Sequence, residues 1–432
     1  MKRLLPLFLL GVSVVRAETD AEFAAHARAL HERVIVLDTH LDTPANFSKP
    51  GWDIMDRHSY EADRSQVDYP RMVEGGLDGG FWAIFTAQGA RTPEGLASAR
   101  DRALIRAVEI REMVAKHSDK FELAFTSDDA ARIHAAGKRI VYQSIENAYP
   151  IGKDLSLIQT FYTLGVRMMS PAHTSNSDLA DSATDASGPE WHGLSPLGKE
   201  FVAECNRLGI VLDASHSADS VFDQMLELSK TPLILSHSGP KGANAHPRNI
   251  DDERIKKLAA KGGVIQINSL SGYLIPTPPN PERNAAMAQL FGKYGLPAPG
   301  GGRGPAGAAA GGGRGGRGGR GGDLPPDKRD AFMKEMAEVE KKYPVPQANF
   351  EDFMRHVNYA LKLVGPEHVG FGADWDGGGG VDGMRDITGY PKVTERLLKD
   401  GYTEKDIANM WGGNVIRLLK AAEDYAKSQS KS

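Results

Sequence analysis

The chain has 432 residues, of which 41% are hydrophobic and 25% are charged, as in an ordinary soluble globular protein. This length suffices for one large domain, because α/β barrels often exceed about 200 residues as a single unit. A formal net charge of -4 gives no indication of a nucleic-acid or membrane-surface partner. Cys205 is the only cysteine, which excludes an intrachain disulfide, so stability has to come from a large core or from a metal.

Residues 1–17 differ in composition from the rest of the chain. Lys2 and Arg3 precede an apolar run over 4–15, and Ala17 ends the stretch, a pattern typical of a cleaved secretory signal peptide. We therefore expect an exported protein, periplasmic or secreted. The run is short for a membrane span, which favours cleavage over an uncleaved anchor. The mature chain, 18–432, is expected to form a single domain with no stable membrane anchor.

Apolar runs of strand length alternate with helical patterns along the chain. Strands are predicted at 34–42, 80–86, 139–146, 166–173, 210–216, 232–237, 263–268 and 368–374. Helices are predicted at 18–32, 94–117, 127–136, 155–164, 195–208, 219–229, 251–261, 327–342, 350–364, 390–399, 404–410 and 413–425. Eight such alternations predict a TIM-like (β/α)8 barrel. A doubly wound open sheet is the alternative, but Gly370-Phe371-Gly372 is an incomplete dinucleotide fingerprint.

Residues 276–327 interrupt this alternation with a segment rich in Pro, Gly, Ala and Arg, and 311–322 repeat Arg-Gly-Gly. Such low-complexity sequence buries too little apolar surface to order itself. It predicts a flexible Gly/Arg-rich insertion on the barrel surface. The segment is similar to RNA-binding Arg-Gly-Gly tails, but its position inside an exported chain argues against a nucleic-acid partner.

Six of the eight predicted strands end in a residue that can bind a metal or transfer a proton. A single strand-end histidine is more often structural, but the carboxyl ends of barrel strands line one face, where active sites lie. Burying so many ionisable groups together is costly unless cations offset their charges. Histidine and carboxylate ligands suit zinc. The residues are His40, Asp42, Glu146, His173, His216, His237 and Asp374.

His40 and Asp42 end the first of these strands, and residues two apart on a strand point to the same side. They could therefore bind one ion together, although a bare His-x-Asp fits a loop histidine and a capping aspartate equally well. A carboxylate has two oxygens, so Glu146 could bridge two ions roughly 3.5–4 Å apart, as in two-metal hydrolases.

Seven segments, in this order over about 33–425, carry a resemblance to a known family. They are Asp38-Thr39-His40-Leu41-Asp42-Thr43-Pro44, Ile145-Glu146, His173-Thr174-Ser175-Asn176, Leu212-Asp213-Ala214-Ser215-His216, Ser236-His237-Ser238, His246-Pro247-Arg248-Asn249 and Gly370-Phe371-Gly372-Ala373-Asp374-Trp375-Asp376-Gly377. The chain resembles a bacterial-type member of the membrane dipeptidase (renal dipeptidase) family of zinc peptidases. By this resemblance, His40 and Asp42 bind one zinc, His216 and His237 bind a second, and Glu146 bridges both.

The resemblance also implies roles for three further residues. His173 is expected to contact the substrate carbonyl and stabilise the oxyanion. Arg248 is expected to pair with the C-terminal carboxylate of a dipeptide, a task suited to a guanidinium group. Asp374 is expected to move a proton from the attacking water to the leaving amine. From the sequence alone, a surface salt bridge for Arg248 and a loop cap for Asp374 remain open.

The implied activity is hydrolysis of the peptide bond of dipeptides by a water or hydroxide that bridges two zinc ions. The family's habit of pairing implies a homodimer. One alternative is another binuclear hydrolase of the amidohydrolase type, acting on a lactone, cyclic amide or phosphoester, although such enzymes usually begin with His-x-His. The second alternative is a non-catalytic binding protein that uses the Arg-Gly-Gly segment.

Overall fold

The computed structural model describes residues 19–296 and 324–429. Its strands are β1 (Leu37–Leu41), β2 (Gly79–Phe85), β3 (Phe121–Leu123), β4 (Arg139–Glu146), β5 (Val166–Met169), β6 (Val211–Leu212), β7 (Ile234–Ser238), β8 (Val264–Ile267) and β9 (Val369–Phe371). Its helices are α1 (Asp20–Arg33), α2 (Tyr60–Asp63), α3 (Tyr69–Gly75), α4 (Pro93–Lys116), α5 (Ser127–Ala135), α6 (Ser156–Leu164), α7 (Pro196–Leu208), α8 (Asp219–Leu228), α9 (Asp252–Ala260), α10 (Ser271–Leu274), α11 (Pro281–Lys293), α12 (Pro326–Lys342), α13 (Phe350–Val364), α14 (Tyr390–Lys399), α15 (Glu404–Ala408) and α16 (Asn414–Gln429).

The strands form a barrel of parallel neighbours. One sheet has the order β1-β2-β4-β5-β6, and a second has the order β7-β8-β9. Isolated parallel bridges join Leu41 to Trp375 and Asp213 to Ile234, so the two sheets meet at both edges. The ring contains all eight predicted strands, and the prediction of a (β/α)8 barrel is confirmed. The short strand β3, which pairs with the start of β4, is an addition that the sequence did not predict.

The barrel strands are almost wholly buried, because parallel strands in this architecture are covered by helices on the outside. Near the strand starts, Leu37, Phe81 and Ile234 form a cluster with Val415 and Leu418 of α16. Helix α16 therefore packs against the amino end of the barrel, and the polar strand-end residues lie at the opposite, carboxyl end. Within the described ranges, no helix combines the length and the apolarity needed to cross a membrane.

The predicted bounds of the insertion are wrong on the amino-terminal side. Helix α11 lies inside the stretch that composition assigned to disorder, with Asn280 accepting the N–H of Arg283 at its start. It is ordered because its apolar residues recur at helical spacing and pack against the next helix. These residues are Met287, Leu290 and Phe291 of α11 with Phe332 and Met336 of α12. The Arg-Gly-Gly repeats and the predicted signal peptide lie outside the described residues.

Candidate active site

The carboxyl ends of the strands bring all seven predicted strand-end residues together. The described chain contains three groups whose ligand atoms lie within 4.8 Å of one another and could hold a metal ion. They overlap, because two of them share His40 and two share Glu146. The groups are His40 with Glu146 and His237, Glu146 with His173 and His216, and His40 with Asp42 and Asp374.

Glu146, the last residue of β4, lies at the centre of this cluster. Its Oε1 lies 3.0 Å from Nε2 of His216, 3.3 Å from Nε2 of His173 and 3.4 Å from Nε2 of His237. Its Oε2 lies 3.4 Å from Nε2 of His40. The two oxygens of one carboxylate therefore face two separate sets of histidine nitrogens.

The imidazole rings of this cluster are in direct contact with one another. Nε2 of His216 and Nε2 of His237 are 2.9 Å apart, and the rings of His40 and His237 stack at 3.9 Å. Nε2 of His40 and Oδ1 of Asp42 are buried and form no hydrogen bond with the protein. Because buried polar atoms are normally satisfied, this donor set fits metal ions.

Burial and charge act in opposite directions on these residues. Burial disfavours protonation of His40, but the carboxylates of Glu146 and Asp42 outweigh it and raise the pKa of His40. Burial opposes ionisation of Glu146, yet the charges on His40 and His173 lower its pKa well below the usual range. Burial lowers the pKa values of His216 and His237, which keeps both imidazoles neutral, as metal ligands have to be.

Asp374 follows β9 at the start of a glycine-rich turn. Its backbone adopts a left-handed conformation with φ 64°, and its carbonyl oxygen accepts hydrogen bonds from the N–H groups of Gly377, Gly378 and Gly379. Burial raises the pKa of Asp374 to about 8, and the nearby charge of Asp42 acts in the same direction. A carboxyl group with this environment can carry a proton near neutral pH.

Comparison with known proteins agrees with this geometry. Residues 24–432 match the sequence model of the membrane dipeptidases, peptidase family M19. The chain belongs to this family. Dipeptidase tcpJ of Claviceps purpurea is 28% identical over 374 residues, which cover 84% of this chain and 71% of that protein. Dipeptidase verJ of Clonostachys rogersoniana is 25% identical over 411 residues, covering 92% and 87%.

Among solved structures, the PvdM protein of Pseudomonas aeruginosa matches with a TM-score of 0.76 and 28% sequence identity. The match covers 94% of this chain and all of that one. The protein is thus a metallo-dipeptidase of family M19, as the sequence motifs indicated. The two alternatives, a hydrolase of another type and a non-catalytic binding protein, are set aside.

Arg248, in the loop after β7, borders the candidate metal-binding groups of the dipeptidase. It is 4% exposed, and its Nη2 donates a hydrogen bond to the carbonyl oxygen of His237 at 2.9 Å. Its guanidinium carbon lies 5.6 Å from the centre of the Tyr273 ring. The backbone N–H of Arg248 donates to Nδ1 of His246, whose ring packs on Tyr273. The open possibility of a surface salt bridge for Arg248 is therefore wrong.

His173 lies next to His216 in the dipeptidase site. Its ring contacts the ring of His216, with centroids 4.0 Å apart, and the ring of Phe85 at 5.0 Å. Its carbonyl oxygen accepts a hydrogen bond from the Ser182 hydroxyl. Its side chain is 15% exposed, more than that of Glu146 at 5%, so it faces the accessible part of the site.

Two buried aspartates of the dipeptidase hold the strand ends in place. Asp38 accepts the N–H of His40 at 2.7 Å and that of Ala373 at 2.9 Å, and the Tyr390 hydroxyl also donates to it. Asp376 accepts the Thr43 hydroxyl and the N–H of Gln66. Asp38 links β1 to the residue Ala373 after β9. Asp376, also after β9, is linked to the segment that follows β1. Asp376 therefore links two loops, and Asp38, which is not among the predicted site residues, fixes the backbone of His40.

Proposed function

We propose that this dipeptidase holds two zinc ions bridged by Glu146. In this arrangement His40 and Asp42 hold one ion, and His216 and His237 hold the other. The observation that carries the proposal is the division of the Glu146 oxygens, one toward His40 and one toward the other histidines. Neutral imidazole and carboxylate are the ligand types that zinc takes in catalytic sites.

Such ions, when bound, supply Lewis-acid polarisation of the scissile carbonyl and lower the pKa of a water molecule. The chain itself handles the proton and the developing charge. Asp374 takes a proton from the attacking water at its carboxylate and delivers it to the nitrogen of the leaving amine. Its pKa, raised by burial and by the charges of Asp42 and Glu146, supports this role. His173 donates from Nε2 to the substrate oxygen, where negative charge develops.

Arg248 is proposed to bind the free carboxylate of the dipeptide. The contacts described for its guanidinium, the His237 carbonyl oxygen and the Tyr273 ring, are uncharged, and its Nε forms no hydrogen bond with the protein. A buried cation in that setting is costly, and a carboxylate ligand offsets the cost with charge-assisted hydrogen bonds. This pairing selects substrates that end shortly after the scissile bond.

Metal analysis combined with activity tests the proposal. We expect about two zinc ions per chain, with hydrolysis of L-dipeptides lost on chelation and restored by zinc. A single metal site, or restoration by another metal with none by zinc, would contradict it. A lactone and a phosphodiester serve as controls and should not be hydrolysed at comparable rates.

We also propose that the protein is exported. The support is the basic start, apolar run and small terminal residue of 1–17. Mass spectrometry of the protein from non-cytoplasmic fractions should find a mature chain that begins at Glu18. An intact Met1 in a cytoplasmic protein would contradict export.

A further inference from the structure

Asp213 lies at the seam between β6 and β7 and contacts both strands. Its Oδ1 accepts the backbone N–H groups of Ser215 and Ser236, each at 2.9 Å. Its Oδ2 accepts the Ser236 hydroxyl at 2.6 Å. The carboxylate and the serine are buried, at 4% and 0% exposure. Asp213 therefore acts only as an acceptor, and one of its partners is the side chain that precedes His237.

The Ser236 hydroxyl continues this chain of hydrogen bonds to an imidazole. Its oxygen lies 2.8 Å from Nδ1 of His237. A hydroxyl has one proton to donate, and here that proton goes to the Asp213 carboxylate. Nδ1 of His237 must then be the donor in the second hydrogen bond. A neutral imidazole carries one N–H, so Nε2 of His237 is left without a proton.

The proton-free nitrogen faces the proposed metal site. Nε2 of His237 lies 3.4 Å from Oε1 of Glu146 and 2.9 Å from Nε2 of His216. The lone pairs of His237 Nε2 and Glu146 Oε1 thus point to the same place, beside Nε2 of His216, an arrangement that a cation stabilises. The second nitrogen of a metal-binding histidine commonly donates to a carboxylate or carbonyl, which fixes the tautomer. Here a serine stands between the carboxylate and the histidine.

We propose that Asp213 and Ser236 are positioning residues that set the tautomer of His237 and so present its Nε2 lone pair to a metal ion. The inference rests on the proposed role of His237 as a ligand. Asp213 also has a plain structural role, which Asp38 shares. Asp38 likewise accepts the N–H of a residue two further along and that of a neighbouring strand end. The hydroxyl link to an imidazole is the feature that Asp213 has in addition.

Two substitutions separate the tautomer role from the structural one. Ser236→Ala removes the link. Asp213→Asn keeps the size and one oxygen for the backbone N–H groups, but its amide nitrogen donates to Ser236. The serine hydroxyl is then free to donate to Nδ1 of His237, which would place the imidazole proton on Nε2. An aspartate-to-asparagine change beside a catalytic histidine is known to favour the wrong tautomer in this way.

Ser215→Ala is the matched control. The Ser215 hydroxyl is equally buried, lies 3.3 Å from that of Ser236 and accepts the backbone N–H of His237, but its hydrogen bonds do not include the imidazole. Loss of this serine therefore perturbs the same strand ends without breaking the link.

The tautomer is measured on metal-free full-length protein with ¹⁵N-labelled histidine, by long-range ¹H–¹⁵N correlation at about pH 8, which is above the ordinary pKa of an imidazole. The His237 signal is identified by its loss in His237→Gln. We expect Nδ1–H in the wild type and in Ser215→Ala, Nε2–H in Asp213→Asn, and a mixture in Ser236→Ala. The same tautomer in all four proteins would overturn the proposal.

Zinc affinity, measured by competition with a chromophoric chelator, gives the second readout. We expect Ser236→Ala and Asp213→Asn to weaken the binding of one zinc equivalent about 10- to 100-fold, and Ser215→Ala to have a much smaller effect. If zinc affinity fell equally in all three variants, Asp213 would have only a structural role. If the tautomers change as expected but zinc affinity does not, the ligand role of His237 is wrong while the hydrogen-bond chain stands.

Discussion

Gly377 lies directly against the Asp374 carboxylate: a Cβ atom built on this glycine would be 2.0 Å from Oδ1 of Asp374. The same atom would be 2.1 Å from Oδ2 of Asp42. The N–H of Gly377 also donates to the carbonyl oxygen of Asp374 at 3.1 Å. The absence of a side chain at this position therefore lets two carboxylates approach the same part of the site.

Gly377→Ala should displace both carboxylates while leaving the barrel folded. We expect kcat/KM for a dipeptide to fall about 100-fold, because small misplacements of reacting groups cost that much. The control is Gly292→Ala in α11, where a Cβ atom would meet nothing within 4 Å. That change should leave activity intact and stabilise the helix by about 0.5–1 kcal/mol. Equal activity in both variants would show that the tight contact at Gly377 is unimportant.

Glu146→Gln tests the proposal that this carboxylate bridges two metal ions. The amide cannot offer two charged oxygens, so we expect no more than one metal ion per chain and a loss of kcat/KM of at least about 10³-fold. Elemental analysis and a dipeptide assay measure the two effects. Glu122→Gln, which removes a surface carboxylate that pairs with Arg132, is the control and should change neither. A Glu146→Gln enzyme with full metal content and full activity would refute the bridge.

Arg248→Lys tests recognition of the substrate carboxylate. Lysine keeps the charge but loses the fork of two parallel donors, so we expect KM for a dipeptide to rise about 10- to 100-fold with a smaller change in kcat. The C-terminal amide of the same dipeptide should be a poor substrate for both proteins and should be affected little. Arg254→Lys in α9, whose guanidinium pairs with Asp223, is the control. An equal effect on acid and amide would exclude the proposed pairing.

The features of the fold and of the site that can be predicted from the sequence are those encoded within a single strand. An apolar run followed by His40, Glu146 or His237 indicates both a buried strand and a candidate functional side chain at its end, and the barrel brings these ends together. The eight strands and the clustering of the predicted residues follow from that local pattern. Helix α11 was missed because its few apolar residues are surrounded by a composition typical of disorder, and its packing partner is α12, beyond the Gly/Arg-rich segment.

Other parts of the site depend on contacts distant in sequence. Tyr273 reaches Arg248 from the short helix α10, and Phe85 reaches His173 from the end of β2. Nothing in the sequence around these aromatic residues distinguishes them from core residues. A weak signal did exist for Asp38 and Asp213, since each precedes a predicted histidine ligand closely on its strand. The left-handed backbone of His216, with φ 66°, was not predicted either, because this conformation is uncommon in residues other than glycine.

His356 makes the free energy of unfolding depend on pH, and it lies outside the candidate metal-binding groups. It is fully buried on α13, its Nε2 donates to the carbonyl oxygen of Leu274 at 2.9 Å, and burial lowers its pKa to about 4. In the unfolded chain its pKa returns to about 6.5. Between these values the unfolded state binds the additional proton, so stability falls as the pH falls from about 6.5 to 4. At pH 5 the loss from this histidine is about 2 kcal/mol.

Replacing His356 with a side chain that does not titrate should remove this contribution. Glutamine keeps an N–H donor for the carbonyl oxygen of Leu274 and carries no charge at any pH. His356→Gln therefore removes the pH-dependent contribution of His356 with little change in side-chain shape. Urea unfolding at pH 7 and pH 5, in the presence of a chelator, should show a pH-dependent loss that is smaller in the variant by about 2 kcal/mol. Burial also lowers the pKa of His31 to about 4. This residue is present in both proteins, so its contribution to the pH-dependent loss cancels in the comparison. Equal losses in wild type and variant would mean that His356 is protonated in the folded state at pH 5.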